Sequence, residues 1–525
     1  MLSGEGHRVE LEVFVREALA YYAEKGALSA AALPVDAGPS TQADADVTQL
    51  RYPGKVAVDA PANRLYVADT GHHRLLVATL DGEVLDVVGA TGARGFVDGA
   101  FEEARFHAPN GLAVAPGKLY VADTENHAIR VVDLAARTVT TLVGTGRQGR
   151  DLVGGRAGRE QPLSSPWDLV FEADPAGGPG GRLLVAMAGV HQIWAVDVAT
   201  GRAERLAGSG HEANRNSADP KVTAFAQPSG AALGRDGALY IADSESSAIR
   251  AIGVGAKYYA RAICGGNKAD PSNLFAFGDV DGRGDRARLQ HPLGVLFVPG
   301  DVWGGDAADG DVLVVADTYN HRLKVVRAPI EQGEVARWSG AGEPAAAPAD
   351  GPADVARFAE PSGLALDAVG RRVLVADTNH HAIRAVAIPT GEVTTLHLRD
   401  GRAPSSAAAA AAPATAPVMR VRPPSLRHSL RSGHCVCSLA STECMAGGVA
   451  PACRAGRAAH AARGAADSAG GGRPRRAVHQ AAAARARAHH AVGAQPARSC
   501  AGAADRAAPL AGARGRRPGR LGRGG

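Results

Sequence analysis

The chain has 525 residues, 45% hydrophobic and 4% aromatic, long enough for more than one hydrophobic core. Its six cysteines are too few for a disulfide-built scaffold, and no stretch is long and apolar enough to cross a bilayer as a helix. The formal net charge of +5 conceals two opposed regions: residues 1–400 carry 38 basic against 50 acidic residues, whereas 401–525 hold 20 Arg, no Lys and three acidic residues.

Residues 1–48 are too few for a domain. Leu11, Phe14, Val15, Ala18 and Tyr22 fall on one helical face with Gly26 beyond as a stop, so one amphipathic helix is expected over 9–22, followed by a linker holding Pro34, Gly38 and Pro39. Met1 is not followed by an apolar signal core, and Glu5, Glu10 and Glu12 argue against a transit peptide. With Cys264 the sole cysteine before the tail, a reduced, cytoplasmic protein is the simplest expectation; the alternative is the chloroplast, if a targeting region lies upstream.

From residue 49 to 400 one pattern recurs. A strand ending in Ala-Asp-Thr appears at Val67–Thr70, Val121–Thr124, Ile241–Ser244, Val315–Thr318 and Val375–Thr378, with a degenerate copy at Val185–Ala188; the spacings are 54, 64, 56, 74 and 60 residues. Such a period marks a repeat architecture whose single unit cannot bury its own face. The second unit parses into strands over 111–114, 119–122, 129–133 and 139–143. Four short antiparallel strands per unit make the blade of a β-propeller, and six units predict six blades.

A Pro-x-Gly precedes the first strand of most units, at Pro109–Gly111, Pro228–Gly230, Pro292–Gly294 and Pro361–Gly363, with Pro53-Gly54 and Pro166-Trp167-Asp168 as variants. Proline suits a strand start and glycine a close backbone approach, so the pair fits the crowded innermost strand. Strand parity places the Asp turns at Asp69, Asp123, Asp243, Asp317 and Asp377 on the same side as the long inter-blade loops, the expected binding face. Residues 46–52 are the candidate for a strand that closes the ring.

The third unit breaks the repeat. Met187 replaces the aspartate, Trp194 stands where other units have Arg130, Arg250 or Arg384, and Trp167-Asp168 opens the unit. Together with His191 these residues, Trp167, Asp168 and Trp194, are the candidate partner-binding set; packing of the two tryptophans between blades is the competing reading.

Other motifs carry less. Gly144–Gly149 fits GxGxxG but opens no helix, so it offers no row of amides to a pyrophosphate. Asp279, Asp281 and Asp285 fail the EF-hand register, which meets Arg283 and Gln290 at ligand positions. His73, His127, His191, His321 and His381 sit at equivalent turns of different units. They would form a wide ring, not a tight metal cluster, so a structural role bridging to the next blade is expected and no metal or cofactor. Cys264 reads as a small buried hydrophobe.

The tail from 401 to 525 is Ala/Arg/Gly/Pro-rich, with Ala407–Ala412 as a run and almost no residues to build a core. It is expected to be disordered, or the product of a frameshift or retained intron, the reading favoured by its abrupt composition. Cys435, Cys437, Cys444, Cys453 and Cys500 lie there without paired CxxC knuckles.

The units resemble NHL repeats. The run from Gly6 to about Leu398 is similar to a family that joins a thioredoxin-like domain to an NHL propeller, matching at Ala68–Arg74, Ser165–Asp168, Ala186–Gly189, His191–Trp194, Asn273–Gly282 and Leu289–Gly294. The resemblance implies that helix 9–22 is the end of a thioredoxin-like domain whose CxxC body is not in this chain. It covers about three quarters of the chain, and the tail does not match the β-rich C-terminal domain it implies.

The resulting expectation is an all-β protein, a six-bladed NHL-type β-propeller with a short N-terminal helix and a disordered tail, acting as a non-catalytic scaffold for a protein partner on its loop-rich face. A redox role in the complete protein and a metal-dependent propeller enzyme are the alternatives. The apolar first strands (Val56–Val58, Leu112–Val114, Ala231–Leu233, Leu364–Leu366) argue against an enzyme, and the acidic balance of residues 1–400 against nucleic acid.

Overall fold

A computed structural model of the chain describes residues 8–25, 48–174, 177, 180–253, 259–304 and 310–401. The tail from 402 onward, with the expectations that fall on it, lies outside the described residues.

The strands run outward from the axis in chain order. Blade 1 contains Val56–Asp59, Arg64–Asp69, Arg74–Ala78 and Glu83–Val88; blade 2 contains Pro109–Ala115, Lys118–Asp123, Ala128–Asp133 and Thr138–Val143. Blades 3 to 6 repeat the plan, beginning at Pro166–Ala173, Pro228–Leu233, Gly294–Val298 and Pro361–Asp367. Every consecutive pair within a blade is antiparallel. The strands expected for blade 2 are all present and differ from those observed by at most two residues at either end.

The second strands read as unbroken apolar runs because both of their faces are covered; Leu119–Asp123, for instance, is buried throughout. The core lies between blades, not within them. Each of six hydrophobic clusters joins residues of two neighbouring blades, from Tyr66 with Leu119 between blades 1 and 2 to Leu65 with Leu374 between blades 6 and 1. Each fully buried Leu or Val there contributes about 1.5–3 kcal/mol of transfer free energy.

The glycines of Pro-x-Gly stand where inner strands of adjacent blades converge. A Cβ on Gly111 would lie 2.6 Å from Asp168 Cα, and one on Gly294 2.0 Å from the Ser362 carbonyl oxygen. No side chain fits those contacts.

Residues 48–52 form no strand, and the ring is closed from the other end. Arg399–Asp400 pairs in parallel with Glu83 and Val84 on the outer edge of blade 1. Blades 2, 3 and 5 have that edge covered by a strand from the preceding inter-blade loop, at Gly99–Ala100, Gly154–Ala157 and Gly282–Arg283. In blade 1 the segment that leaves blade 6 takes that place.

Helix α1 spans Arg8–Glu24, longer than expected, and is followed by Lys25 bonded to the Tyr21 carbonyl. Phe14, Val15 and Tyr22 of the expected apolar face are exposed. Among the described residues no helix is long and apolar enough to cross a membrane.

Candidate functional site: the loop-rich face and the channel

Each Asp turn is a junction of three chain segments. The carboxylate closing the second strand accepts through Oδ1 from the backbone N–H of the segment leading into its own blade: Arg51 at 2.7 Å for Asp69, His107 at 2.8 Å for Asp123, and Ala226, Gln290 and Ala359 at 2.7 Å for Asp243, Asp317 and Asp377. Oδ2 meets a cation of the third strand, at 2.7 Å for Arg74, Arg130 and Arg384, 3.2 Å for Arg250 and 3.3 Å for Lys324. A side chain three residues on, such as Asn126 or Ser246, supplies another hydrogen bond. Both members of these pairs are sealed from water, and burial pushes Asp123, Asp243 and Asp317 up to about 6 against the pull of their cations. The guanidinium groups also bind loop carbonyls, as Arg130 does at Val97 and Arg105, and lie over a phenylalanine.

The turns also lace each blade to the next. Thr70, Thr124 and Thr318 donate through Oγ1 to the carbonyls of Pro109, Pro166 and Pro361 at 2.7–2.8 Å. The five histidines close the turns in the left-handed region, φ 48 to 57°. Their Nδ1 atoms accept from the next blade's lead-in amide: Ala108 to His73, Ser165 to His127, Gln227 to His191, Glu360 to His321 and Tyr52 to His381, all at 3.0–3.1 Å. In blade 4 Ser247 Oγ does this for His291 N. An accepting Nδ1 requires the neutral ring with its proton on Nε2. Burial holds His73 down at about 4 and also lowers His321 and His381.

Blade 3 replaces the ion pair as a unit. Met187 and Trp194 stand where Asp and Arg stand elsewhere, and both are buried in the cluster shared with blade 2. The Ser164 amide now meets the Met187 sulfur at 3.4 Å, and Trp194 Nε1 donates to Gln192 Oε1 at 2.9 Å. The four candidate partner-binding residues are not brought together on the surface. Trp194 is 1% exposed and His191 serves the inter-blade lacing. Trp167 is half-buried, its indole nitrogen enclosed. Asp168, 8% exposed, points into the channel.

That channel is a cavity of about 240 Å³ lined by inner strands, including Val56, Leu112, Val170, Ala232, Val295 and Leu366. Lys55 Nζ crosses it to Asp168 Oδ2 at 3.1 Å and donates to the Leu293 carbonyl at 2.6 Å, while the Ala231 N–H donates to Asp168 Oδ2. The charges of an otherwise apolar lining thus satisfy each other. Sequence reasoning missed Lys55; its sequence signal is that this lysine stands where blades 2, 4, 5 and 6 carry Gly111, Gly230, Gly294 and Gly363 and only blade 3 carries another charge, Asp168.

The remaining motifs resolve simply. Gly144–Gly149 is a loop leading to the edge strand Gly154–Ala157. Asp279 is taken up by Lys324 at 2.8 Å, Arg337 and Arg322. Cys264 is wholly buried and its thiol is pushed up to about 12. Among the described residues no group of three or more His, Cys, Asp or Glu is arranged to hold a metal ion.

Exposed apolar side chains are concentrated on the loops. Of the large ones exposed in the propeller, all but Val369 belong to inter-blade loops or Asp turns; Phe275 is 81% exposed, with Phe277, Val153 and Tyr319 also open. The segment Asn273–Gly282 was legible as a family match but not as an aromatic surface.

The NHL repeat family matches residues 50–78, 106–132 and 358–385, in blades 1, 2 and 6. NHL repeat-containing protein 2 of Gallus gallus is 42% identical over 408 residues, 74% of this chain and 53% of that protein; its Homo sapiens counterpart is 40% identical over 75% of this chain and 54% of that protein. The chloroplastic protein Suppressor of quenching 1 of Arabidopsis thaliana is 41% identical over 77% of this chain and 37% of its own length. The chain therefore spans about half the length, or less, of the curated relatives it matches. Among solved structures, a Bacteroides thetaiotaomicron protein of unknown function aligns with TM-score 0.42 and 16% identity over 64% of this chain and 69% of that one. A catalytically inactive virginiamycin B lyase from Staphylococcus aureus aligns at 0.37 and 11% over 67% and 85%; neither carries an argument about activity. Six laced blades, three of them matched as NHL repeats, and some 41% identity extending through the irregular third blade identify this chain as an NHL-repeat β-propeller protein, similar to NHL repeat-containing protein 2 and Suppressor of quenching 1.

Proposed function

We propose that this chain is a non-catalytic scaffold whose loop-rich face binds a protein partner, and that it is the propeller part of a thioredoxin-like/NHL protein. The observation that carries the reading is the concentration of exposed apolar side chains on the inter-blade loops, with Phe275 and Phe277 foremost. Exposed aromatics on a rigid scaffold are the usual anchors of protein interfaces. The channel favours the same reading, because Lys55 and Asp168 are spent on each other and leave an apolar lining with no free group to do chemistry. The site of action is the cytoplasm, with the chloroplast as the alternative that the chloroplastic relative supports. A redox role belongs to the complete protein and needs a domain outside these residues.

The test is affinity capture with chemical crosslinking on the full chain. Partners crosslinked to the 266–293 loop should be retained by Val369→Ser and lost from Phe275→Ser/Phe277→Ser at unchanged melting temperature. Equal capture by all three proteins would refute the assignment of the face.

A further inference from the structure

On the loop-rich face, blades 4, 5 and 6 form a cup whose charges, unlike those of the Asp turns, are unmatched. Its floor is His291 stacked on Tyr319, ring centroids 4.6 Å apart and planes 8° from parallel, with the Tyr319 ring 41% exposed. Glu245 of the blade 4 turn lies on one side, its carboxylate 3.9 Å from His291 Nδ1. Glu360, which leads into blade 6 and whose amide donates to His321 Nδ1 at 3.1 Å, supplies the second carboxylate. Both carboxylates act on the same phenol: burial raises the Tyr319 hydroxyl, and the charges of Glu360 and Glu245 raise it further.

Among the described residues no lysine or arginine pairs with either carboxylate. His291 is held by burial at about 4 and stays neutral near pH 7. Glu245 is raised by desolvation and then by the charges of Glu212 and Asp243; Glu360 is raised by desolvation against one hydrogen bond from Asn379. Polar atoms are also left over around the cup. Glu212 Oε1 and Asn379 Oδ1 are sealed from solvent without a donor, and both amide atoms of Asn214 are sealed without a hydrogen-bond partner; this residue is 2% exposed and its Nδ2, like the Ser246 carbonyl beside Glu245, lies against Gly266. The exposed aromatics adjoin the cup, since Gly278, next to Phe277, accepts from Asn320, next to Tyr319.

We propose that this cup receives an arginine side chain of the partner protein, the guanidinium stacking on Tyr319 between the carboxylates of Glu245 and Glu360. The proposal rests on the scaffold reading above and specifies what the partner presents. Arginine fits better than lysine because its planar fork is weakly hydrated, stacks on a ring face and reaches two carboxylates at once. A half-buried carboxylate pair without a counter-ion is costly alone and relieved by such a group.

The experiment is fluorescence anisotropy of a labelled Gly-Ser peptide carrying two arginines, titrated with the full chain, beside peptides bearing citrulline or glutamate. The arginine peptide is expected to bind at least about tenfold more tightly than the neutral citrulline peptide, a difference of roughly 1.4 kcal/mol. Glu245→Gln/Glu360→Gln should erase the preference, with the melting temperature unchanged, and Tyr319→Ala should weaken it severalfold. Equal binding of the citrulline peptide, or of the arginine peptide by the double variant, overturns the proposal. So does absence of binding to millimolar concentration; if the double variant then makes residues 402–525 more protease-sensitive, the occupant is the chain's own arginine-rich segment. Partner capture that still depends on Phe275 and Phe277 while the peptide result fails would remove the cup and leave the scaffold.

Discussion

The aspartate of each turn and the third-strand cation, seven residues later in blades 2, 4, 5 and 6 and five in blade 1, show how one protein handles the same buried position in two ways. In blade 2 Asp123 and Arg130 form a wholly buried pair, and in blade 3 Met187 and Trp194 fill the equivalent places. Removing one partner of a buried pair strands the other charge, whereas replacing both by apolar groups of suitable shape is nearly neutral. Asp123→Met alone should therefore cost about 3–5 kcal/mol. Adding Arg130→Trp should recover more than half of that loss, as read from urea unfolding midpoints with m-values compared; a double variant no better than the single would show that the blade 3 solution depends on its own surroundings. The positions involved were legible in the sequence, because Asp and Arg/Lys recur seven apart in four repeats and both depart together in the third. Their meeting through space was not. It arises from two adjacent strands whose register the spacing alone does not state, and the same gap led Trp194 to be weighed as a surface anchor. Asp168 was misplaced for a related reason: the start of an inner strand is both a loop end and the channel wall, and only the register pointing its side chain inward decides between them.

At the scale of the element, the Asp turn is a clasp that works only with neutral histidine. His73 accepts from Ala108 N through Nδ1, and burial holds its folded value at about 4 against an ordinary 6.5. Because the folded value is depressed, the unfolded chain binds more protons between about 6.5 and 4. The clasp's contribution is complete above that window and lost as pH falls through it. His73→Asn supplies an acceptor that does not titrate and tolerates the left-handed conformation. The stability of wild type relative to this variant should fall steadily as pH drops from about 6.5 toward 4, with the buried aspartates titrating in both proteins and cancelling. A difference constant across that range, followed by urea unfolding, would contradict the assignment of the proton to Nε2. Spacing alone marked these histidines as a ring of equivalent positions, and the structure supplies the donor each one meets.

For the whole molecule, blade number was the most legible property, since it follows from counting repeats, and closure the least, since it depends on pairing residues 316 apart in the chain, Glu83 with Arg399 and Val84 with Asp400. Five of the six blade interfaces are crossed by a covalent loop. At the sixth, between blades 6 and 1, the chain crosses only as far as the edge strand Arg399–Asp400 and does not continue into the inner strand of blade 1, so the seam is held by that two-residue pairing, by packing and by hydrogen bonds such as Ser362 Oγ to the Gly54 carbonyl and Thr378 Oγ1 to the Pro53 carbonyl. Sub-global opening should begin there. Hydrogen exchange is expected to be faster, by about tenfold or more, in Arg74–Ala78 and Ala382–Ala387 than in Ala128–Asp133 and Gln192–Asp197. Uniform exchange around the ring would mean that the seam is as strong as the looped interfaces.

Arg74 binds the Gln49 carbonyl and Arg399 donates to the Gly82 carbonyl, so the propeller's first and last segments both fasten to blade 1. A ring that starts and stops on one blade has no intrinsic beginning. If a short linker joined its ends and the chain were opened at the exposed turn around Val369, every strand would keep its neighbours, and the circularly permuted protein would carry whatever is fused to it at blade 6.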